Sequence, residues 1–294
     1  MRSLGLLILV FVAQLARANV DPAPENRSPM TSFPGRFGIL LGGARSEGTG
    51  SNFTWQQLTL QGGFALRKEF SDELKLFYGL NYRLTNIDQG LSPAGSRLDD
   101  LHDIILPFSL SYDPADSRWS FFAQASVQLA TDFRSLTTDD LDYAFRIGGQ
   151  YEFSDTFALN FGAARVRNFG KTFILPALGF VWAPTDDWSL TLIGPRITLS
   201  HRINDRIILR GGGFPMGGLW NVEDDNGDSI DYGFASYNTG LGFDYKLRRG
   251  VWLTVWGGAN FANEFRAEEN GSTLFEEDLD PGWFTYIGIN LYEW

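Results

Sequence analysis

The 294-residue sequence contains no cysteine, and it has only two histidines and three methionines. Without cysteine there is neither a disulfide framework nor a thiolate metal site, so a packed core or a closed strand ladder must hold the fold. Two histidines, His102 and His201, leave little scope for imidazole chemistry. No stretch is apolar over the roughly 20 residues a membrane helix requires. Basic residues are outnumbered 24 to 35, for a formal charge of -11, which argues against nucleic acid as a partner.

What the chain has in abundance is glycine (33) and aromatics: 25 Phe, 10 Tyr and 9 Trp. At the N-terminus, Met1-Arg2 precedes an apolar run from Leu4 to Ala13 and then Ala16-Arg17-Ala18, a small-x-small cleavage pattern. Residues 1–18 therefore read as a removable secretory signal. Removing Arg2 and Arg17 from the 24 basic residues leaves 22 against 35 acidic ones, a formal charge of -13 on the mature chain. Residues 19–35, with Pro22, Pro24, Pro29 and Pro34, form an extended periplasmic lead-in, and the remaining unit spans 36–294.

From Arg36 onward apolar and polar residues alternate at period two, the mark of strands. The clearest case sets Leu74, Leu76, Tyr78, Leu80, Tyr82 and Leu84 on one face and Lys75, Gly79, Asn81, Arg83 and Thr85 on the other. Tight turns at 68–73, 113–118, 154–156, 183–187 and 248–250 take turns with longer connections at 46–52, 87–101, 131–141, 220–230 and 262–281. Trp188–Ile193 and Arg196–Ile203 are two short strands joined at Gly194-Pro195. Around Asn204-Asp205 an odd-length loop is required, because it alone pairs Ile203 with Ile207 and keeps Thr198, Ser200, Arg202 and Arg210 on one inner face.

Spanning with strands hides from a hydropathy window, because every second residue faces inward and stays polar. The expected fold is all-β: a closed antiparallel transmembrane barrel of about fourteen strands, with twelve as the alternative. Short turns would face the periplasm and longer loops the exterior. Trp119, Tyr151, Phe153, Trp182, Trp188, Tyr245 and Trp252 flank the short turns as an interfacial aromatic belt would, although parity turns Trp252 inward. The closing strand is GWFTYIGINLYEW, Gly282 to Trp294, which must pair with the glycine-rich strand from Arg36 to Arg45.

The signal sequence, the alternating strands, the segment Trp188-Ser189-Leu190-Thr191-Leu192-Ile193-Gly194-Pro195 and the ending Leu291-Tyr292-Glu293-Trp294 together resemble a family of bacterial outer-membrane barrels recorded as a domain of unknown function. Its layout is similar to porin-like and hydrocarbon-transporter-like barrels. Asn290 departs from the pattern, being polar where the terminal alternation favours an apolar residue. The resemblance implies an outer-membrane location in a Gram-negative-type bacterium, with lipid and lipopolysaccharide as surroundings. It also implies Tyr292 and Trp294 as the signal read by the barrel assembly machinery.

No catalytic motif emerges. His201 falls on the apolar parity, with Ser200 on the opposite face, and His102 sits among Asp99, Asp100 and Asp103. The segment from Asp224 lacks the Gly and Glu that a twelve-residue calcium loop needs, having Ser229 and Ala235 there. With Glu268, Glu269, Glu276, Glu277, Asp278 and Asp280 it forms an acidic rim suited at most to weak divalent-cation binding, and no cofactor is expected. The inward parity supplies the candidate lumen: Lys75, Arg83, Asp103, Arg146, Glu152, Arg202, Arg210 and Asp244, beside Gln57, Gln61, Gln124, Gln128, Gln150 and Asn160. Such charges either line a polar pore or brace its wall. Inward Phe77, Phe122, Phe173 and Trp256 would either narrow it or meet an apolar solute. The expected function is a passive pore or substrate-selective channel for small solutes, the alternatives being a lipid-modifying barrel enzyme or a structural barrel with a blocked lumen. The sequence leaves the oligomeric state open.

Overall fold

The computed structural model describes residues 37–47, 54–89, 100–134, 136–168, 171–223, 227–269 and 271–291. The signal, the lead-in, most of the loop near Asp224, and Tyr292 and Trp294 lie outside them. In chain order the strands are β1 (Phe37–Glu47), β2 (Thr54–Glu69), β3 (Leu74–Gln89), β4 (Leu101–Tyr112), β5 (Trp119–Thr131), β6 (Leu141–Ser154), β7 (Phe157–Asn168) and β8 (Lys171–Thr185). They continue with β9 (Trp188–Ile193), β10 (Arg196–Asn204), β11 (Ile207–Glu223), β12 (Ser229–Arg248), β13 (Val251–Glu269), β14 (Ser272–Leu279) and β15 (Gly282–Leu291).

Every neighbour from β1 to β13 pairs in sequence order, and β15 pairs both with β13 and with β1, closing the ring. β14 and β15 share one column on β13, with β14 along Asn263–Glu269 and β15 along Val251–Asn260, so fourteen strand positions surround the barrel. Pro281, which has no amide hydrogen to donate, falls at the break between them. The short pair β9–β10 belongs to the ladder. The glycine-rich first strand seals it, running from Phe37 opposite Leu291 to Arg45 opposite Trp283.

The parity of the sequence is the parity of the wall. Ile39, Leu41, Leu106, Phe108, Phe145, Ile147, Ile287 and Ile289 all point outward and stay exposed, whereas Phe77, Gln150, Arg210, Asp244 and Asn290 are buried inward. An apolar face some ten residues tall on tilted strands spans about 25 Å, the height of an outer-membrane belt. The molecule is a transmembrane β-barrel. Near the short turns an outward aromatic chain links Trp119 to Tyr151 (4.6 Å), Tyr151 to Phe153 (4.8 Å) and Phe157 to Phe180 (6.0 Å). Trp252 is no part of that girdle: only 3% exposed, it faces the lumen, under Lys246. The β10–β11 register pairs Ser200 with Arg210 and Arg202 with Ile208 as parity requires, but the turn is the two-residue Asp205-Arg206 with Asn204, not Ile203, opposite Ile207; a bulge at Ile203, rather than an odd loop, supplies the extra residue.

Two expected loops are instead strand. β11 and β12 continue through Trp220 and Ile230, and β13–β14 occupies most of 262–281. Glu264, Glu276 and Asp278 sit on the outer face of the β13–β14 hairpin, whereas Glu268 is itself buried and Phe265, Ala267 and Leu279 are buried on the inner side. A bulge at Ala262 (φ 52°) explains the change: one extra residue shifts the inward parity of β13 from even positions to odd ones. This upper sheet folds inward. Its core of Trp220, Val222, Ile230, Tyr232, Phe234 and Phe265 packs with Ala44, Ile87, Leu101 and Ala130 of the opposite wall.

Candidate functional site: the occluded lumen

The contact that closes the mouth is built from strands far apart in the chain. Asp103 of β4 is fully buried, and Arg83 of β3 lies opposite it in the register. Its carboxylate accepts from Arg83 Nε at 2.7 Å, from Gln128 Nε2 at 2.5 Å and from the indole Nε1 of Trp220 at 3.1 Å, and Arg83 Nη2 adds an ion-pair contact at 2.6 Å. Arg83 Nη1 also donates to the Gly217 carbonyl of β11 at 3.2 Å, with its guanidinium 5.6 Å from the Trp220 ring. A buried charge needs a partner and its remaining lone pairs satisfied, and here the folded-in strand supplies part of that set. Asn221 adds a parallel backbone bridge to Thr131 of β5. Gly218 lets the Trp220 ring fold back flat over β11, because a Cβ there would collide with it.

A second buried network lies lower on the opposite wall. Arg210 reaches Asp244 Oδ2 at 2.6 Å through both Nε and Nη2. Thr254 donates to Asp244 Oδ1 at 2.7 Å, and Asn290 Nδ2 donates to Thr254 at 3.0 Å. The anomalous polar residue of the closing strand is thus an inward member of this network. Lys75 stands 3.8 Å from Asp113 at a short turn, and Gln150 donates to Glu152 at 3.2 Å. Arg146 on β6 and Arg202 on β10 also face inward. Of the predicted lumen residues, Arg83 with Asp103 and Arg210 with Asp244 come together in two ion-paired networks, while Lys75 and Glu152 have other partners. The side chains of Gln57 and Gln61 lie outside the described set.

Between the networks the lumen is filled by residues that sequence parity alone could not connect. Phe214 packs edge-on against Trp256 (5.8 Å) and Phe284 (5.7 Å), and the Tyr286 hydroxyl contacts the Met216 sulfur. At the hinge of the upper sheet, Asn263 Nδ2 donates to Ser46 (2.9 Å), Asn260 (2.9 Å) and the Asp280 carbonyl (3.0 Å). Gly282 N–H donates to Asn260 Oδ1 at 2.8 Å. These side chains replace ladder bonds lost at the Ala262 bulge and the β14–β15 break. Asn260 and Asn263, three positions apart where period two would put inward residues an even number apart, were the available signal.

Both histidines belong to aromatic surfaces. His102 Nδ1 is 2.7 Å from the Tyr82 hydroxyl, with its ring against Phe133, and His201 stacks on Trp188 at 4.0 Å. Among the described residues no group of three His, Asp or Glu side chains is arranged to hold a metal ion.

Fold and lumen define a membrane β-barrel with an inward-folded upper sheet. The family model described as "Domain of unknown function (DUF6268)" matches residues 97–292, and the chain belongs to that family. The fold is similar to an outer membrane channel from Pseudomonas putida F1, with 7% identity over 94% of this chain and 98% of that one and a TM-score of 0.48. It is similar also to outer membrane phospholipase A from Escherichia coli, at 12% identity, 93% and 99% coverage and a TM-score of 0.40. The TodX monoaromatic hydrocarbon channel shows 10% identity over 92% and 93%, with a TM-score of 0.36. No curated protein matches the sequence.

Proposed function

We propose that this protein is an outer-membrane channel, exported by its N-terminal signal in a Gram-negative-type bacterium, that passes a restricted class of small solutes. The observation that carries the reading is the Trp220–Asp103 contact across the mouth. An open general pore would leave that diameter to water. Here the upper sheet narrows it, while Phe122, Gln124, Ser126, Ala144 and Arg146 on the β5–β6 inner wall keep accessible surface. That lining mixes aromatic, amide and cationic groups, which suits a small solute with both apolar and polar surface.

The surroundings follow from the belt and the terminus. Lipid covers the apolar face and lipopolysaccharide the upper rim, where acidic residues of β13–β14 hold divalent cations weakly. The assembly machinery reads Tyr292 and Trp294, so deleting Trp294 impairs insertion. Planar-bilayer recording tests the channel: wild type gives small unitary currents and Trp220→Ala larger ones. Absence of current from both would leave a structural barrel with a filled lumen.

A further inference from the structure

The barrel wall has a notch. β9 has six residues and β10 nine, between neighbours of fifteen and seventeen. β8 pairs with β9 only from Gly179 downward, and β11 pairs with β10 only up to Gly213. Among the described residues, β8 is paired above the Gly194–Pro195 turn with β7 alone, and the facing edge of β11 pairs with no strand until Asn221 meets β5. Six residues on a tilted strand rise only about 15 Å, so the notch opens within the apolar belt.

Its two edges cannot simply zip together. Pro176 sits on the β8 edge and Pro215 on the β11 edge, and proline, lacking an amide hydrogen, keeps a strand edge from extending a ladder. The lips are apolar: Ile174 and Leu178 on β8 are 76% and 70% exposed, among the highest values for large hydrophobics of the barrel. The opening leads to an apolar interior, where Tyr237, Phe173 and Leu175 pack against buried Ala164. Tyr237 spans the notch. Its ring lies flat on Gly213, where a Cβ would approach it to 2.6 Å, and its hydroxyl donates to the Pro195 carbonyl at 2.7 Å on the sill. Above the sill, Arg196 lies over Phe214 with 5.6 Å to the ring centroid.

We propose that this notch is a side portal between the lumen and the surrounding lipid, closed by the Tyr237–Pro195 hydrogen bond, through which small apolar solutes pass sideways into the bilayer. It rests on the channel reading and names the solute class and its exit. The lips and the side chains behind them, Ile174, Leu178, Phe173 and Leu175, offer apolar contact to the apolar part of such a solute, while Arg196 at the sill stays on the lumen side. Opening needs only the Tyr237 ring to swing off Gly213, a side-chain motion that leaves the ladder intact.

The chain has no native cysteine, so single-cysteine nitroxide labels are specific. In proteoliposomes of the full chain, a label at Leu175→Cys, although on the inner face, is expected to relax with oxygen like one at lipid-facing Leu178→Cys. A label at Ala144→Cys, on the inner wall of β6, should respond to a water-soluble nickel chelate. Tyr237→Phe keeps the ring and removes the bond, and is expected to raise oxygen access at Leu175 about fivefold, the equilibrium value of one ordinary hydrogen bond. Entry of the lipid-reporting fluorophore phenylnaphthylamine into cells carrying the barrel should rise in parallel. A Leu175 label that reads aqueous, as Ala144 does, or a Tyr237→Phe variant that leaves both signals unchanged, overturns the portal. Bilayer currents from the same preparations separate the cases: currents without oxygen access remove the portal alone, and absent currents remove the channel.

Discussion

The Trp220 indole donates to the Asp103 carboxylate at 3.1 Å, joining the inward-folded β11 to β4 between residues 117 positions apart. Hydrogen bonds to a buried charge contribute about 1.5–3 kcal/mol, and emptying a tryptophan-sized site costs about 3–5 kcal/mol. Trp220→Phe should therefore loosen the upper sheet modestly, and Trp220→Ala should release it. The expected outcome is a graded increase in single-channel conductance, wild type below Phe below Ala, with a matching fall in unfolding temperature.

How far the sequence foretells this site divides along a physical line. Which face a residue occupies follows from period two alone, so Arg83, Asp103, Arg210 and Asp244 were legible as inward. The odd register at Ile203 was legible too, because a slip would have turned Arg210 into lipid. Which inward residues meet was not, since the Asp103–Trp220 contact depends on β11–β13 bending across the mouth. That bend hid behind composition. Glu264, Arg266, Glu276 and Asp278 lie on the outer face of the hairpin, so the segment reads as a charged loop. The Ala262 bulge then breaks the alternation that would have exposed Phe265 and Ala267 as buried.

The Arg210–Asp244 pair makes a contrasting prediction, because it braces the lower wall without touching the mouth. Removing one partner of a buried pair leaves an uncompensated charge and costs about 3–5 kcal/mol, whereas replacing both with apolar residues of similar volume is near neutral. Asp244→Ala should lower stability by roughly that amount in urea-unfolding experiments. Arg210→Met combined with Asp244→Leu should recover most of it, and equal losses in the single and double variants would show that the pair's charge was not the cause.

Ring closure depends on the close approach of β1 and β15 at Gly282. A Cβ there would collide with the backbone carbonyl oxygen of Arg45, and backbone cannot move aside as a side chain does. Gly282→Ala is expected to fray the upper end of the β1–β15 seam. The check is hydrogen exchange, with protection lost at Ala44 and Arg45 while Phe37 to Ile39 at the other end stay protected.

The β13–β14 hairpin should respond to pH through Glu264, which lies beyond Phe261, where the outward face of β13 changes from apolar to charged. Burial, then the neighbouring carboxylates Glu276 and Asp278, push its pKa up to about 7, against a smaller opposing effect of Arg266. The sign follows from which state loses its proton first. In the unfolded segment Glu264 ionises near the ordinary 4.5, so as pH rises from there to about 7 the unfolded state is charged while the folded one still holds its proton. Folding stability must fall across that window and level off above it. Solvent screening of this partly exposed group makes the loss a fraction of the full linkage value. Hydrogen exchange of the hairpin amides, corrected for intrinsic rates, should show more frequent opening at pH 8 than at pH 5. Glu264→Gln keeps the shape and removes the titration, so its opening should be the same at both values; a slope that survives this substitution would assign the effect to Glu276 or Asp278 instead.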